Sequence, residues 1–285
     1  MATVTLVLHT GRPEAVELAR QATSWLKERN HRVVVLKEDA GRAGLAGVDE
    51  VDLADPGAVI SRSDLAVSLG GDGTMLRTVQ LAAGAPVLGV NLGQLGYLSA
   101  VEPARLTAAL ELFLSGADHH IDERLSLLVR VAGDAPPMTA LNEAVLEKTV
   151  PGHTVRLGLA LSGEHFINYA ADALIISTPT GSTAYNLSAR GPILAPSLRA
   201  VLVTPVSPHM LFDRSLVLDP DSVVRMDVLP TRPAVLVVDG VAALVLEPGQ
   251  WVECAASPQP ARLVAFDDRT GFHSILKAKF RLSDR

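Results

Sequence analysis

Two glycine-rich segments hold most of the residues in this chain that could do chemistry. The first is Leu69-Gly70-Gly71-Asp72-Gly73-Thr74-Met75-Leu76, between a short apolar run at 65–69 and a stretch of helical patterning from 75 to about 83. At a strand-to-helix junction, free backbone N–H groups and the helix dipole favour an anion. Gly70, Gly71 and Gly73 predict unusual backbone conformations and a close approach of phosphate to the main chain. Asp72 is the odd member, because a carboxylate repels phosphate unless a metal or a proton transfer gives it a role. It either caps the turn ahead of the helix or takes part in a reaction. Neither GxxxxGK[ST] nor GxGxxG occurs in the chain.

The second segment is Ser177-Thr178-Pro179-Thr180-Gly181-Ser182-Thr183-Ala184-Tyr185-Asn186, which follows an apolar run at 173–176. Its hydroxyls could bind a polyhydroxylated ligand while Tyr185 covers a base or ring face. Taken alone, it reads more readily as a Ser/Thr-rich turn between strands than as a ligand site.

Composition narrows the classes of function. The chain has 285 residues, and 25 Lys and Arg against 31 Asp and Glu give a net charge of −6. No basic excess recommends nucleic acid as a partner. With Cys254 as the one cysteine, an intramolecular disulfide and a cysteine-based metal cluster are both excluded. The start, Met-Ala-Thr-Val-Thr-Leu-Val-Leu, lacks a basic flank and reads as a strand, not a signal peptide. The apolar stretch at 234–246 is interrupted by Asp239 and Gly240 and is too short to span a bilayer. The expectation is a soluble, cytoplasmic protein with no membrane partner.

Two textures divide the chain. Residues 3–8, 33–36, 65–69 and 86–90 read as strands. Between and after them come helical patterns, one opened by Pro13 with Leu18, Ala22, Trp25 and Leu26 on a face, another with Leu106, Leu110, Phe113 and Leu114. Strand–helix–strand order predicts an open, Rossmann-like α/β domain over residues 1–118. From 119 to 260 the period falls to two, as in Leu125, Leu127, Val129 and Val131 or Val155, Leu157, Leu159 and Leu161. That pattern predicts an all-β sandwich. Residues 261–285 close the chain with Phe272, Ile275, Leu276 and Phe280 at near-helical spacing, expected to return to the first domain.

The order GGDGTML, GVNLGQLGYLS, LNE and ADALIISTPTGSTAYNLSARGPI, together with 205–218 and the closing FHSILK, resembles the ATP-NAD kinase family. GGDGT is shared with lipid kinases, whereas STPTGSTAY beside it is far more specific. The resemblance implies a two-domain kinase with its active site between the domains, using ATP or polyphosphate to phosphorylate NAD. It implies that Asp72 is the catalytic carboxylate at the ribose 2′-hydroxyl and that Gly73 lies against the substrate. Gly70, Gly71 and Thr74 would serve the donor phosphates, and Arg77, one turn into the following helix, either reaches them or stands as a solvated helix arginine. Asn142 and Glu143 match the family's dinucleotide-binding pair, and Asp172, Thr183, Ala184, Tyr185 and Ser188 would line the adenosine pocket. Tyr97 takes the aromatic place in a Leu-Gly-Phe/Tyr turn. A divalent cation, Mg²⁺, would be carried mainly by the phosphates, with no dedicated protein cluster, and the assembly would be a homodimer or homotetramer. Three positions depart from the family pattern: Ala173 and Arg190 stand where glycine is expected, and Val241 where glutamine is common after Asp239-Gly240. Asp239 is therefore given no ligand role.

Overall fold

The computed structural model describes residues 1–9, 11–45, 51–54, 62–93, 96–98, 101–117, 119–266 and 271–282. Gln94, Leu95 and Ser99 of the motif around Tyr97, and residue 118 at the expected domain border, lie outside them. The chain divides into two compact units, Met1–Glu123 with Ala261–Arg285, and Arg124–Pro260.

The first unit is α/β. Its elements are β1 (Thr3–Leu8), α1 (Pro13–Glu28), β2 (Arg32–Leu36), α2 (Lys37–Ala43), β3 (Val51–Ala54), β4 (Leu65–Gly70), α3 (Asp72–Ala82), β5 (Val87–Asn91), α4 (Leu106–Ser115) and β6 (His120–Arg124), with the C-terminal strand Ala261–Ala265 and helix Phe272–Phe280. The seven strands run in the order β3-β2-β1-β4-β5, the C-terminal strand, then β6. Pairing is parallel across β3, β2, β1, β4, β5 and the C-terminal strand. Helices cover both faces of such a sheet, so its strands are apolar on both sides; β4 is buried along its whole length. From α1, Ala15, Leu18, Ala19, Ala22 and Leu26 pack onto Val4, Leu6, Val33 and Val35. Trp25, expected on that face, is only partly buried and lies under the Arg29 guanidinium, 4.1 Å from its ring centre. The chain order reverses between β1 and β4. The crevice beyond the carboxyl ends of strands at such a switch point is where open α/β sheets bind ligands.

The second unit is a sandwich. It contains β7 (Leu127–Val131), β8 (Met138–Ala140), β9 (Glu143–Lys148), β10 (Val155–Leu161), β11 (Glu164–Ala171), β12 (Ala173–Ser177), α5 (Tyr185–Ser188), β13 (Val201–Val206), β14 (Leu216–Leu218), β15 (Val224–Val228), β16 (Ala234–Val238), β17 (Val241–Leu246) and β18 (Trp251–Ala256). One sheet is ordered β11-β10-β15-β18-β7-β8, the other β14-β13-β12-β9-β16-β17. Alternate residues of both, among them Leu127, Val129, Leu157, Leu159, Ala144, Leu146, Leu174 and Ile176, share one core. Each fully buried aliphatic side chain of Val or Leu size contributes about 1.5–3 kcal/mol. The opposite parity of the second sheet matters more for function. Val145 of β9 with Ala173 and Ile175 of β12 form a smaller apolar floor on its other face, against Ala189 just beyond α5. The period of two therefore builds a core with one set of residues and a platform with the other.

Candidate active site

In the first unit, β4 runs straight into α3, whose N-cap is Gly71 with no side-chain cap. Asp72 is the first helical residue, so it does not cap the helix. Its carboxylate instead turns to the 96–98 turn, where it accepts the backbone N–H of Tyr97 at 3.0 Å and of Leu98 at 3.3 Å. Gly96 permits this approach, because a Cβ there would lie 2.2 Å from Asp72 Oδ1.

The glycines of the loop do not take the unusual backbone conformations expected of them. None of Gly70, Gly71 and Gly73 has positive φ. Gly70 is required by space, since an added Cβ would meet Thr74 Oγ1 at 2.2 Å, and a Cβ at Gly71 or Gly73 would point into open space. The open backbone at 71 and 73 faces a cavity of about 410 Å³ lined by Leu8, His9, Arg12, Gly71, Gly73, Thr74 and Arg77.

Arg77 lines this cavity and is held there by partners of its own. Its guanidinium donates to Glu38, to Asp39 at 3.3 Å and to the Leu8 carbonyl at 3.3 Å. Asp39 is buried and also accepts the Leu8 N–H at 3.1 Å. Two carboxylates, one of them buried, already balance the Arg77 charge. Tyr97 too is occupied. Its ring meets Phe272 at 6.3 Å and lies under Lys279 Nζ at 4.8 Å, tying the turn to the C-terminal helix. Burial, then the Asp72 charge, raises its phenol pKa.

In the second unit, Asn142 and Glu143 stand at the start of β9, and Asp172 immediately precedes β12. β9 and β12 pair antiparallel, with Glu143 opposite Ser177 and Glu147 opposite Ala173. Glu143, Val145 and Glu147 thus share the platform face. Lys148 Nζ holds Asp172 Oδ1 at 2.6 Å. Tyr185, 37% exposed, connects these groups. Its phenol pKa is raised by burial first and then by Glu147 and Asp172, with Lys148 opposing, and its backbone N–H hydrogen-bonds Glu143. Ala184 and Thr183 lie beside it half-buried, Ser188 is exposed, and the Thr183 hydroxyl donates to the Thr180 carbonyl at 3.3 Å.

The hydroxyls of this loop are mostly scaffold, as the Ser/Thr-rich turn reading has them. Ser177, Thr178 and Ser182 are fully buried. Ser177 donates to the Asn142 carbonyl at 3.1 Å, Thr178 to that of Leu141 at 2.5 Å, and Ser182 to that of Pro179 at 2.6 Å. Buried hydroxyls need partners, and here the backbone supplies them. Gly181 is fixed by the same crowding, with the Asn142 carbonyl oxygen 2.2 Å from a would-be Cβ.

The residue passed over in the sequence was Asp239. Asp239 and Gly240 both have positive φ, as the two-residue turn of the β16–β17 hairpin requires. The Asp239 carboxylate accepts the N–H groups of Leu141 at 2.9 Å, Asn142 at 2.7 Å and Glu143 at 3.1 Å. It anchors the Asn-Glu pair through the main chain. The Asp-Gly dipeptide between two apolar runs was the available signal.

Glu143 is buried and its Oε2 has no hydrogen-bond partner. Burial and, second, the Asp239 charge push its pKa up to about 8 against the pull of the Tyr185 N–H. In the unfolded chain the acid titrates near its ordinary 4.5. Between those values the unfolded chain has lost the proton that the folded chain keeps, so this group's contribution to stability falls as pH rises from about 4.5 to about 8 and then levels. Melting temperatures measured across that window should decline less steeply for Glu143→Gln than for the wild type. Equal slopes would place the titration elsewhere.

Of the departures from the family pattern, Ala173 is buried in the platform floor. Arg190 adopts φ 64°, where a side chain is strained and glycine is not. Arg190→Gly should raise the melting temperature, by an amount corresponding to up to about 1 kcal/mol. A fall in calorimetry would show that the side chain contributes more than the backbone strain costs.

The comparisons with known proteins agree on one family. Residues 4–118 match the ATP-NAD kinase N-terminal domain and residues 141–266 the ATP-NAD kinase C-terminal domain. A NAD kinase of Heliobacterium modesticaldum is 41% identical over 293 residues, covering 99% of both chains. One from Thermobifida fusca is 39% identical, covering 98% of this chain and 89% of its own. Among solved structures, yeast NADH kinase complexed with NADH superposes with a TM-score of 0.90 at 25% identity, over 100% of this chain and 89% of its own. A NAD kinase from Archaeoglobus fulgidus in complex with ATP has the same fold, with a TM-score of 0.73 at 22% identity, over 99% of this chain and 100% of its own. The chain belongs to the ATP-NAD kinase family.

Proposed function

We propose that this chain transfers the terminal phosphoryl group of ATP to the 2′-hydroxyl of the adenosine ribose of NAD, giving NADP. The observation that carries the reading is the junction of β4 and α3 in a chain of this family. There, open backbone at Gly71 and Gly73 flanks a carboxylate, Asp72, held by two N–H groups. Phosphoryl transfer asks mainly for positioning and neutralisation of charge. Asp72 orients the 2′-hydroxyl and accepts its proton late, as the new P–O bond forms. Asn142, Glu143, Asp172, Thr183, Ala184, Tyr185 and Ser188 bind the dinucleotide, with Tyr185 offering its ring beside the Lys148–Asp172 pair.

No group of three or more His, Cys, Asp or Glu side chains suited to a metal ion occurs among the described residues. In this reading Mg²⁺ enters as part of the metal–ATP substrate, most of its ligands being phosphate oxygens. When bound it neutralises the triphosphate. The direct test is incubation with ATP, Mg²⁺ and NAD, read by an NADP-specific dehydrogenase. NADP formation abolished by excess EDTA is expected. Phosphate transfer to diacylglycerol with none to NAD would replace the reading with a lipid kinase, and NAD binding without turnover with a sensor.

Among the described residues no helix is long and apolar enough to cross a membrane. The reading places the enzyme in the cytoplasm, where its single cysteine, buried Cys254, stays reduced. It also places the chain in a homodimer or homotetramer. The support is β17, the edge of its sheet, with Val241 65%, Leu244 37% and Val245 59% exposed and no charged residue along it. An apolar edge strand is a template for a second copy. Val245→Lys should shift the chain toward monomer in light scattering, and a wild-type monomer at working concentration would overturn the assignment.

A further inference from the structure

We infer that Arg12, assisted by His9, is the cationic contact for the donor phosphates, and that the donor is a nucleoside triphosphate and not a polyphosphate chain. The inference rests on the kinase reading and refines it at the switch point of the first unit's sheet. The loops after β1 and β4 both open there, and the cavity of about 410 Å³ between them is walled by His9 and Arg12 on one side and Gly71, Gly73 and Thr74 on the other. Phosphate oxygens over open glycine backbone need a cation as well as N–H groups. Arg77 is balanced by Glu38 and Asp39. Arg12 is different. Its guanidinium donates to the Leu92 carbonyl and lies against Gly93, and among the described residues it has no carboxylate partner. That contact fixes the side chain in place and leaves its charge without a carboxylate among the described residues. His9 Nδ1 accepts the Gly11 N–H at 3.0 Å, so Nε2 is the ring nitrogen that carries a proton outward.

The same two residues, with Leu8, also line an adjacent cavity of about 790 Å³. Its remaining wall mixes apolar surface from Pro13 and Val16 with three carboxylates, Glu14, Glu17 and Asp39, that outnumber its one further cation, Arg20. A polyanion continuing past Arg12 would run onto carboxylates, whereas an uncharged nucleoside finds apolar surface and hydrogen-bond acceptors. The two cavities thus divide a nucleotide into its charged and uncharged parts, with Arg12 at the division.

Steady-state kinetics on the full-length protein test this. Arg12→Ala should raise KM for ATP roughly 10- to 100-fold, with KM for NAD nearly unchanged, and Arg12→Lys should recover part of the loss. NAD titration calorimetry on the same variants guards against a folding defect, since a misfolded protein would lose NAD binding too. Turnover in Arg12→Ala with an unchanged KM for ATP would overturn the role of Arg12. Wild-type turnover with polyphosphate equal to that with ATP would overturn the donor assignment. A wild type that makes no NADP from any donor would defeat the kinase reading itself, a result distinguishable from both.

Discussion

Asp72→Asn is expected to lower turnover roughly 10²- to 10⁴-fold, the usual worth of a positioned general base, while NAD affinity changes little. The amide retains the size of the carboxylate and loses its charge and its capacity to take a proton, so the missing interaction is one that strengthens in the transition state. The structure adds a second consequence. Both carboxylate oxygens accept backbone N–H groups, from Tyr97 and Leu98. An amide must turn its NH₂ toward one of them, leaving a donor without an acceptor at a cost of about 1–3 kcal/mol. The variant should therefore melt earlier as well, and a lower melting temperature is no evidence against a chemical role. What separates the two roles is recovery. Assayed well below its own melting point, or with a stabilising osmolyte, a merely tethering Asp72 would regain activity. A proton-accepting one would not. Near-wild-type kcat in the folded variant would end the mechanistic assignment.

The double role also shows where sequence reasoning reached and where it stopped. Elements carried by apolar period were legible. Leu157 and Leu159 point into the shared core as their alternation requires, and Leu18, Ala22 and Leu26 face the α/β sheet. α2 was not legible, because Lys37-Glu38-Asp39 has no apolar rhythm and its place depends on a buried Asp39 meeting Arg77. In the candidate site the residue types were legible and their duties less so. The Ser/Thr run looks identical whether its hydroxyls face a ligand or the backbone, and only burial of Ser177, Thr178 and Ser182 decides it. The loop glycines likewise read as conformational, whereas Gly70 is explained by contact with Thr74 and Gly96 by contact with Asp72. Close approach between segments far apart in the chain leaves no local pattern.

Asp239→Ala should be the most destabilising substitution around Asn142 and Glu143. It deletes the acceptor of three backbone N–H groups at once, those of Leu141, Asn142 and Glu143. Unsatisfied buried donors cost about 1–3 kcal/mol each, and shared relaxation or water entry will recover part of the sum, so a loss of about 3–5 kcal/mol is expected. For a protein of this size that corresponds to a fall in melting temperature on the order of 10 °C. Asp239→Asn keeps the hairpin, because asparagine accepts positive φ, and should lose less. It has a further value, since it removes the charge that helps hold Glu143 at about 8. The pH window in which stability declines should then move downward while remaining visible. That shift would be absent if Asp239 acted only as a turn residue, and it would tie the hairpin on one side of β9 to the protonation of Glu143 at its start. A melting temperature unchanged in Asp239→Ala would remove both claims, because a carboxylate with three main-chain donors cannot be dispensable and structural at once.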